Sequence, residues 1–190
     1  MTSQDTPASP PTSPPTPAPP TAPAPQTPTS PVLTPRLGVK ALIVHDGHVL
    51  MNHVVSVSGQ DHYTPPGGGQ EHGEDQVTAL IRECYEEIGA RVEVHQVASV
   101  FEVMTDRSFR DGAAVPLFHQ VNIAYWCGLA PGEAPGVGSD PDSGQVGSAW
   151  LPLDRLDRYD VRPVELARWL LADPSDRPLA LGVTGILRTS

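Results

Sequence analysis

Apolar and acidic positions separate cleanly between Val77 and Ile88. At 100° per residue, Val77, Leu80, Ile81, Cys84 and Ile88 fall on one side and Glu83, Glu86 and Glu87 on the other, which predicts a helix with a dry face and an acidic face. Strand patterns flank it. Val39 to His45 and His48 to Val55 are short apolar runs joined by Asp46-Gly47, a dipeptide that favours a hairpin turn. Val92 to Met104 alternates in part, Leu117 to Leu129 is apolar or aromatic enough for a central strand, and Gly147 to Leu153 supplies another. A second helix is predicted over Arg162 to Ala172, with Asp160 or Val161 near its cap, Pro163 in its first turn and Pro174 beyond its end. Helices alternating with partly antiparallel strands predict an α/β fold with a mixed sheet between helices.

Composition changes the picture at the start of the chain. Residues 1–35 hold 13 of the 23 prolines and one charged residue, Asp5. Such a segment cannot bury enough apolar surface to offset its ordering entropy, so a disordered tail of polyproline II character is expected, without the apolar core of a signal peptide. Pro-x-x-Pro spacings such as Pro7 to Pro10 fit a proline-reading module, but a passive tail is the favoured reading. Residues 36–190 are then the folded domain, long enough for one proper core.

Net charge is −10, nearly all of it outside the tail. An acidic body without a basic stripe is not expected to bind nucleic acid, and no apolar run reaches the length of a membrane span. Cys84 and Cys127 read as buried thiols rather than a disulfide or a zinc site, which favours a reducing cytoplasm. His45, His48, His53, His62 and His72 include no His-x-x-His pair and read as surface or site-rim residues.

The acidic face carries the chemistry. Carboxylates at i, i+3 and i+4 repel one another by a few tenths of a kcal/mol per close pair. Arg82 can pair with Glu86, but one cation does not neutralise three acids. A hard divalent ion does, because magnesium takes oxygen ligands and shares its remaining positions with water and phosphate. A glycine run before the helix, Gly67-Gly68-Gly69, permits close approach to phosphate, and the helix N-terminus adds unpaired N–H donors.

The full spacing is Gly68, five residues, Glu74, seven residues, then Arg82-Glu83-Cys84-Tyr85-Glu86-Glu87-Ile88-Gly89-Ala90. It resembles the Nudix box at every position, with Cys84 and Ala90 as small occupants of the apolar slots, and Tyr63 to Gly68 is similar to the family's aromatic and Pro-Gly-Gly lead-in. The resemblance implies an α/β/α sandwich and a metal-dependent pyrophosphohydrolase using two or three Mg²⁺ or Mn²⁺ ions. Its substrate would be a nucleoside diphosphate linked to another moiety, of the ADP-ribose, nucleotide-sugar or dinucleoside polyphosphate class. Carried over by position, Gly68, Glu83, Glu86 and Glu87 would hold metal and Glu74 would support them. Glu83 or Glu86 would serve as base, with Arg82 counted among the catalytic residues. A homodimer is compatible with the resemblance, though no apolar stripe demands one.

A late loop offers Glu133, Asp140 and Asp142 as further candidate bases or as ordinary turn residues. Where several relatives carry a glutamate before the tryptophan matching Trp150, this chain has Ser143, Gly144 and Gln145, which leaves that role unassigned. For substrate, Arg107 and Arg110 are candidates to clamp a distal phosphate, Phe109 to stack a base, and His53 to contact phosphate. Glu102 and His119 stand nearby, while Tyr125 and Trp126 read as core. Two other functions stay open: sanitising hydrolysis of oxidised nucleoside triphosphates, and a nucleotide-binding sensor without turnover.

Overall fold

Strand β1 (Arg36–His45) turns through Asp46-Gly47 into β2 (His48–Val55). Both turn residues have positive φ, 45° and 72°, as a two-residue hairpin needs if its twist is to match the strands. The computed structural model describes residues 34–105, 109–110, 113–114 and 118–187, without the side chains of 105, 109–110, 113–114 and 185–187.

Pairing between β1 and β2 is confined to Val44 with Val49 and His45 with His48. Beyond the turn the strands part. β2 pairs antiparallel with β3 (Asp61–Thr64) and with β8 (Gln145–Pro152). β1 instead runs parallel to β7 (Phe118–Leu129), from Arg36 opposite Gln120 to Ile43 opposite Cys127. β7 lies antiparallel to β4 (Val92–Thr105), which lies parallel to β9 (Ala180–Leu187). The mixed sheet has the order β3-β2-β1-β7-β4-β9, with β8 on β2. The two-residue strands β5 (Phe109–Arg110) and β6 (Ala113–Ala114) pair only with each other.

One helix covers each face. α1 (Gln76–Ile88) buries Leu80, Cys84 and Ile88 against Val39, Ala41, Ile43 and Cys127. α2 (Val164–Leu171) buries Leu166, Trp169 and Leu170 against Leu42, Met51, Phe101 and Ala124. Ala41 and Ile43 thus face one core and Leu42 the other, as the two-residue period of a strand requires. This is the expected α/β/α sandwich. Cys84 and Cys127 are both buried and free.

Local chemistry sets the helix ends. Asp75 caps α1 by accepting the Thr78 N–H at 2.8 Å, and Gly89 ends it at φ 65°, where a left-handed residue satisfies the last carbonyls. Two residues of α1 depart from expectation. Val77, placed on the dry face, lies in the first turn and is 44% exposed, and Glu87, placed on the acidic face, is 2% exposed.

The second helix starts at Val164 rather than Arg162. Asp160 to Arg162 is taken up by β3: the Tyr63 N–H donates to the Asp160 carbonyl and the Arg162 N–H to the Tyr63 carbonyl, both at 2.8 Å. β3 and β9 were not anticipated, since Asp61–Thr64 is short and polar and Ala180–Leu187 carries two glycines. Among the described residues no helix is long and apolar enough to cross a membrane.

Candidate active site

The parting of β1 and β2 leaves one edge of β1 open, and the glycine loop fills it. The Ala41 N–H donates to Pro66 O at 2.8 Å, Val39 N–H to Gly68 O at 3.0 Å, and Gln70 N–H to Leu37 O at 3.1 Å, so Pro66 to Gln70 runs beside β1 as an irregular strand. Gly67 has φ 119°, and a Cβ there would collide with the Val39 carbonyl. A Cβ on Gly68 would collide with the Glu83 carboxylate. The loop lies this close to strand and helix only because it lacks side chains.

Arg82 gathers the acids. It bonds Glu74 at 2.7 Å, Glu83 at 3.0 Å, Glu86 at 2.9 Å and the Gly69 carbonyl at 3.1 Å. Its fork thus offsets repulsion among Glu74, Glu83 and Glu86. The Arg82 hydrogen bond holds Glu74 below the ordinary carboxylate range. Burial pushes Glu83 up, against the pull of Arg82 and Lys40.

Glu87 lies in the slot where β1 and β2 separate. Its Oε2 accepts from the Gly67 N–H at 2.6 Å and from Asn52 Nδ2 at 2.8 Å, while its Oε1 is buried with no hydrogen-bond partner among the described residues. Lys40 Nζ donates to the Gly67 carbonyl alongside. Burial raises the Glu87 pKa to about 7; Lys40 and the two donors oppose the rise, and the charge of Asp142 adds to it.

The late loop docks on the last turn of α1. Gly136 and Asp140 donate backbone N–H groups to the Ile88 and Glu86 carbonyls at 2.8 and 2.9 Å, satisfying acceptors a helix end leaves free. Gln145 Nε2 donates to the Glu87 carbonyl at 2.8 Å. Of the three late acids, Glu133 is occupied with the Arg91 N–H, whereas Asp142 lines a cleft together with Lys40 and Gly68.

That cleft, about 720 Å³, extends from the glycine loop across β1, β7 and β4. Arg36, Lys40, Gln120 and Asn122 line it from β1 and β7, and Phe101, Val103 and Phe118 add apolar surface. The strand alternation that brings Phe118 and Gln120 to the cleft turns His119 to the opposite face, where it bonds Glu102 at 2.8 Å. His53 stands outside the cleft lining, bonded to Asp61 at 2.8 Å and stacked on Tyr63. Arg107 and the side chains of Phe109 and Arg110 lie outside the described residues. Sequence reasoning passed over Asn52, Arg36, Lys40, Gln120 and Asn122. The available signal was a polar residue inside an otherwise apolar strand.

The donor set suits a hard divalent ion. Glu83, Glu86 and Glu87 supply oxygens only, and Glu87 keeps one carboxylate oxygen with no partner among the described residues. The Gly68 carbonyl already accepts from Val39 but retains a second lone pair. Among the described residues no three acidic, His or Cys side chains stand converged on one point, because Arg82 draws Glu83 and Glu86 toward itself.

Solved structures share this fold. A MutT NUDIX hydrolase from Burkholderia pseudomallei is 26% identical, with 74% of this chain and 100% of that one covered and a TM-score of 0.56. A NUDIX hydrolase from Nitrosomonas europaea is 18% identical over 82% and 81% of the two chains, with a TM-score of 0.58. A UDP-X diphosphatase is 20% identical over 80% and 70%, with a TM-score of 0.53. No curated protein sequence matches significantly. The NUDIX domain profile matches residues 34–170, a span that takes in the glycine loop, the acidic helix and both cores, and the chain therefore belongs to the NUDIX domain family as a Nudix-type pyrophosphohydrolase.

Proposed function

We propose that the protein hydrolyses a phosphoanhydride bond in a nucleoside diphosphate linked to another moiety, with Mg²⁺ or Mn²⁺ as cofactor. The observation that carries this reading is Glu87, a carboxylate buried in the slot beside the glycine loop with one oxygen lacking a hydrogen-bond partner among the described residues. Glu83, Glu86, Glu87 and the Gly68 carbonyl would hold the metal. Such an ion would neutralise charge on the pyrophosphate oxygens and so make the phosphate a competent leaving group.

The chain's own groups do the rest. Lys40 and Arg36 bring positive charge to the cleft in which the substrate's phosphates would lie, a part that sequence reasoning had given to Arg107, Arg110 and His53. Arg82 orients Glu83 and Glu86 and keeps them from repelling each other. Glu83, whose pKa burial raises, can accept the proton of the attacking water. Asp142 is the late-loop acid best placed to assist, as it lines the cleft beside Gly68 and its charge acts on Glu87. Two free buried thiols suit a reducing cytoplasm.

The test is a panel of nucleoside diphosphate derivatives and nucleoside triphosphates incubated with Mg²⁺ or Mn²⁺, products separated by chromatography. Release of a nucleoside monophosphate from a diphosphate derivative is expected. Release of pyrophosphate from triphosphates alone would move the protein to the sanitising class. Glu86→Gln should abolish turnover while leaving cooperative thermal unfolding intact, and unchanged turnover would overturn the assignment of the acids.

A further inference from the structure

Strand alternation calls for an apolar side chain at position 52. Val49 and Met51 pack into the core beneath α2 and Leu50 into the core beneath α1, so Asn52 follows Leu50 to the α1 side, where it is 2% exposed. An amide there carries a desolvation cost that valine or leucine would avoid. Among the described residues its side chain makes one hydrogen bond, from Nδ2 to Glu87 Oε2 at 2.8 Å, and its Oδ1 is buried with no partner. The reversed amide would set an oxygen against the carboxylate, so the N–H edge is the one that Glu87 can accept from.

The contact has a direction. Asn52 Nδ2 and the Gly67 N–H converge on the same carboxylate oxygen, at 2.8 and 2.6 Å. Oε2 is thereby filled from β2 and from the glycine loop, while Oε1 receives no hydrogen bond from the described residues. The main chain of Glu87 is held as well, its carbonyl accepting from Gln145 Nε2 at 2.8 Å. A single donor on Oε2 would let the carboxylate pivot about that bond; two donors from different elements fix which oxygen is occupied and which stays open. Hydrogen-bond partners of ligating side chains orient them in this way, and losing one typically changes metal affinity about ten- to a hundredfold.

We infer that Asn52 is a positioning residue for metal binding: by occupying Glu87 Oε2 together with the Gly67 N–H, it leaves Oε1 for the ion and so sets the affinity of the site. The inference rests on the hydrolase reading above and gives the second strand a part in it.

The test is Mn²⁺ binding to the full chain without substrate, read from the electron paramagnetic resonance signal of the free ion. Asn52→Val removes the amide and suits a strand. It should weaken the tightest Mn²⁺ site by roughly ten- to a hundredfold and raise the Mg²⁺ concentration giving half-maximal turnover by a similar factor. In a Glu87→Gln background the same substitution should weaken binding by less than about twofold, because the two residues act through one contact. Asn52→Ala, which cannot overpack the slot, decides the matter if Asn52→Val melts early. Wild-type affinity in a folded variant, or equal losses in the wild-type and Glu87→Gln backgrounds, overturns the positioning role and leaves the hydrolase assignment standing. A wild-type protein that binds no Mn²⁺ overturns the metal reading itself.

Discussion

Glu87 and Arg82 show how single residues define the site. Glu87 has a folded pKa of about 7 against an ordinary 4.5, so between those values the folded protein holds a proton that the unfolded chain has released. The stability contribution is complete below pH 4.5 and is lost as pH rises through 7, by about 3 kcal/mol. With chelator present, urea melts at pH 5 and pH 8 should show this loss in the wild type, and Glu87→Gln should lack it. A Glu87→Gln variant with the wild-type slope would mean that the carboxylate is not desolvated. Arg82 bridges three acids and a loop carbonyl, a geometry that the single ammonium of lysine cannot reproduce. Arg82→Lys should therefore cost about 1–2 kcal/mol of stability and lower kcat/KM by roughly ten- to a hundredfold, read from melts and steady-state kinetics on one preparation.

At the scale of elements, the site is a junction between a loop, a helix and a split pair of strands. The glycine loop lies on β1 because β2 leaves that edge after two pairs, and α1 then sends Glu83 and Glu87 into the gap. Gly67 takes φ 119° against the Val39 carbonyl, whereas Gly73 takes φ 94° with open space around it. Gly67→Ala should cost well over the ~1 kcal/mol of backbone strain alone and reduce metal-dependent activity sharply. Gly73→Ala should cost about 1 kcal/mol and leave activity near wild type. Equal melting temperatures for the two variants would show that the loop does not press on β1 in solution.

Across the whole molecule, the sheet divides two cores and places both thiols, Cys84 on α1 and Cys127 on β7, in the core beneath α1. Burial raises Cys84 well above the usual thiol range and pushes Cys127 to about 12, so at pH 8 both are protonated as well as inaccessible. Iodoacetamide at pH 8 should label neither in the native protein and both in urea, with mass spectrometry locating the adducts; rapid native labelling of Cys84 would mean that α1 opens apart from the sheet. Much of the architecture was legible in the chain because it rests on neighbours in sequence. The Asp46-Gly47 hairpin, the 3.6-residue rhythm of α1 with its Asp75 and Gly89 ends, and the spacing from Gly68 to Glu87 are all short-range features that backbone sterics and periodicity suffice to specify. Other features depend on strands distant in sequence. Glu87 reads as one more acid on a wet face until the divergence of β1 from β2 provides a slot to bury it. Asp142 is indistinguishable from Glu133 until the late loop docks on the end of α1. Gln120, Asn122, Arg36 and Lys40 become one cleft floor only through the parallel pairing of β1 with β7, residues some eighty positions apart. Desolvation and charge proximity arise from that assembly, and no local pattern encodes them.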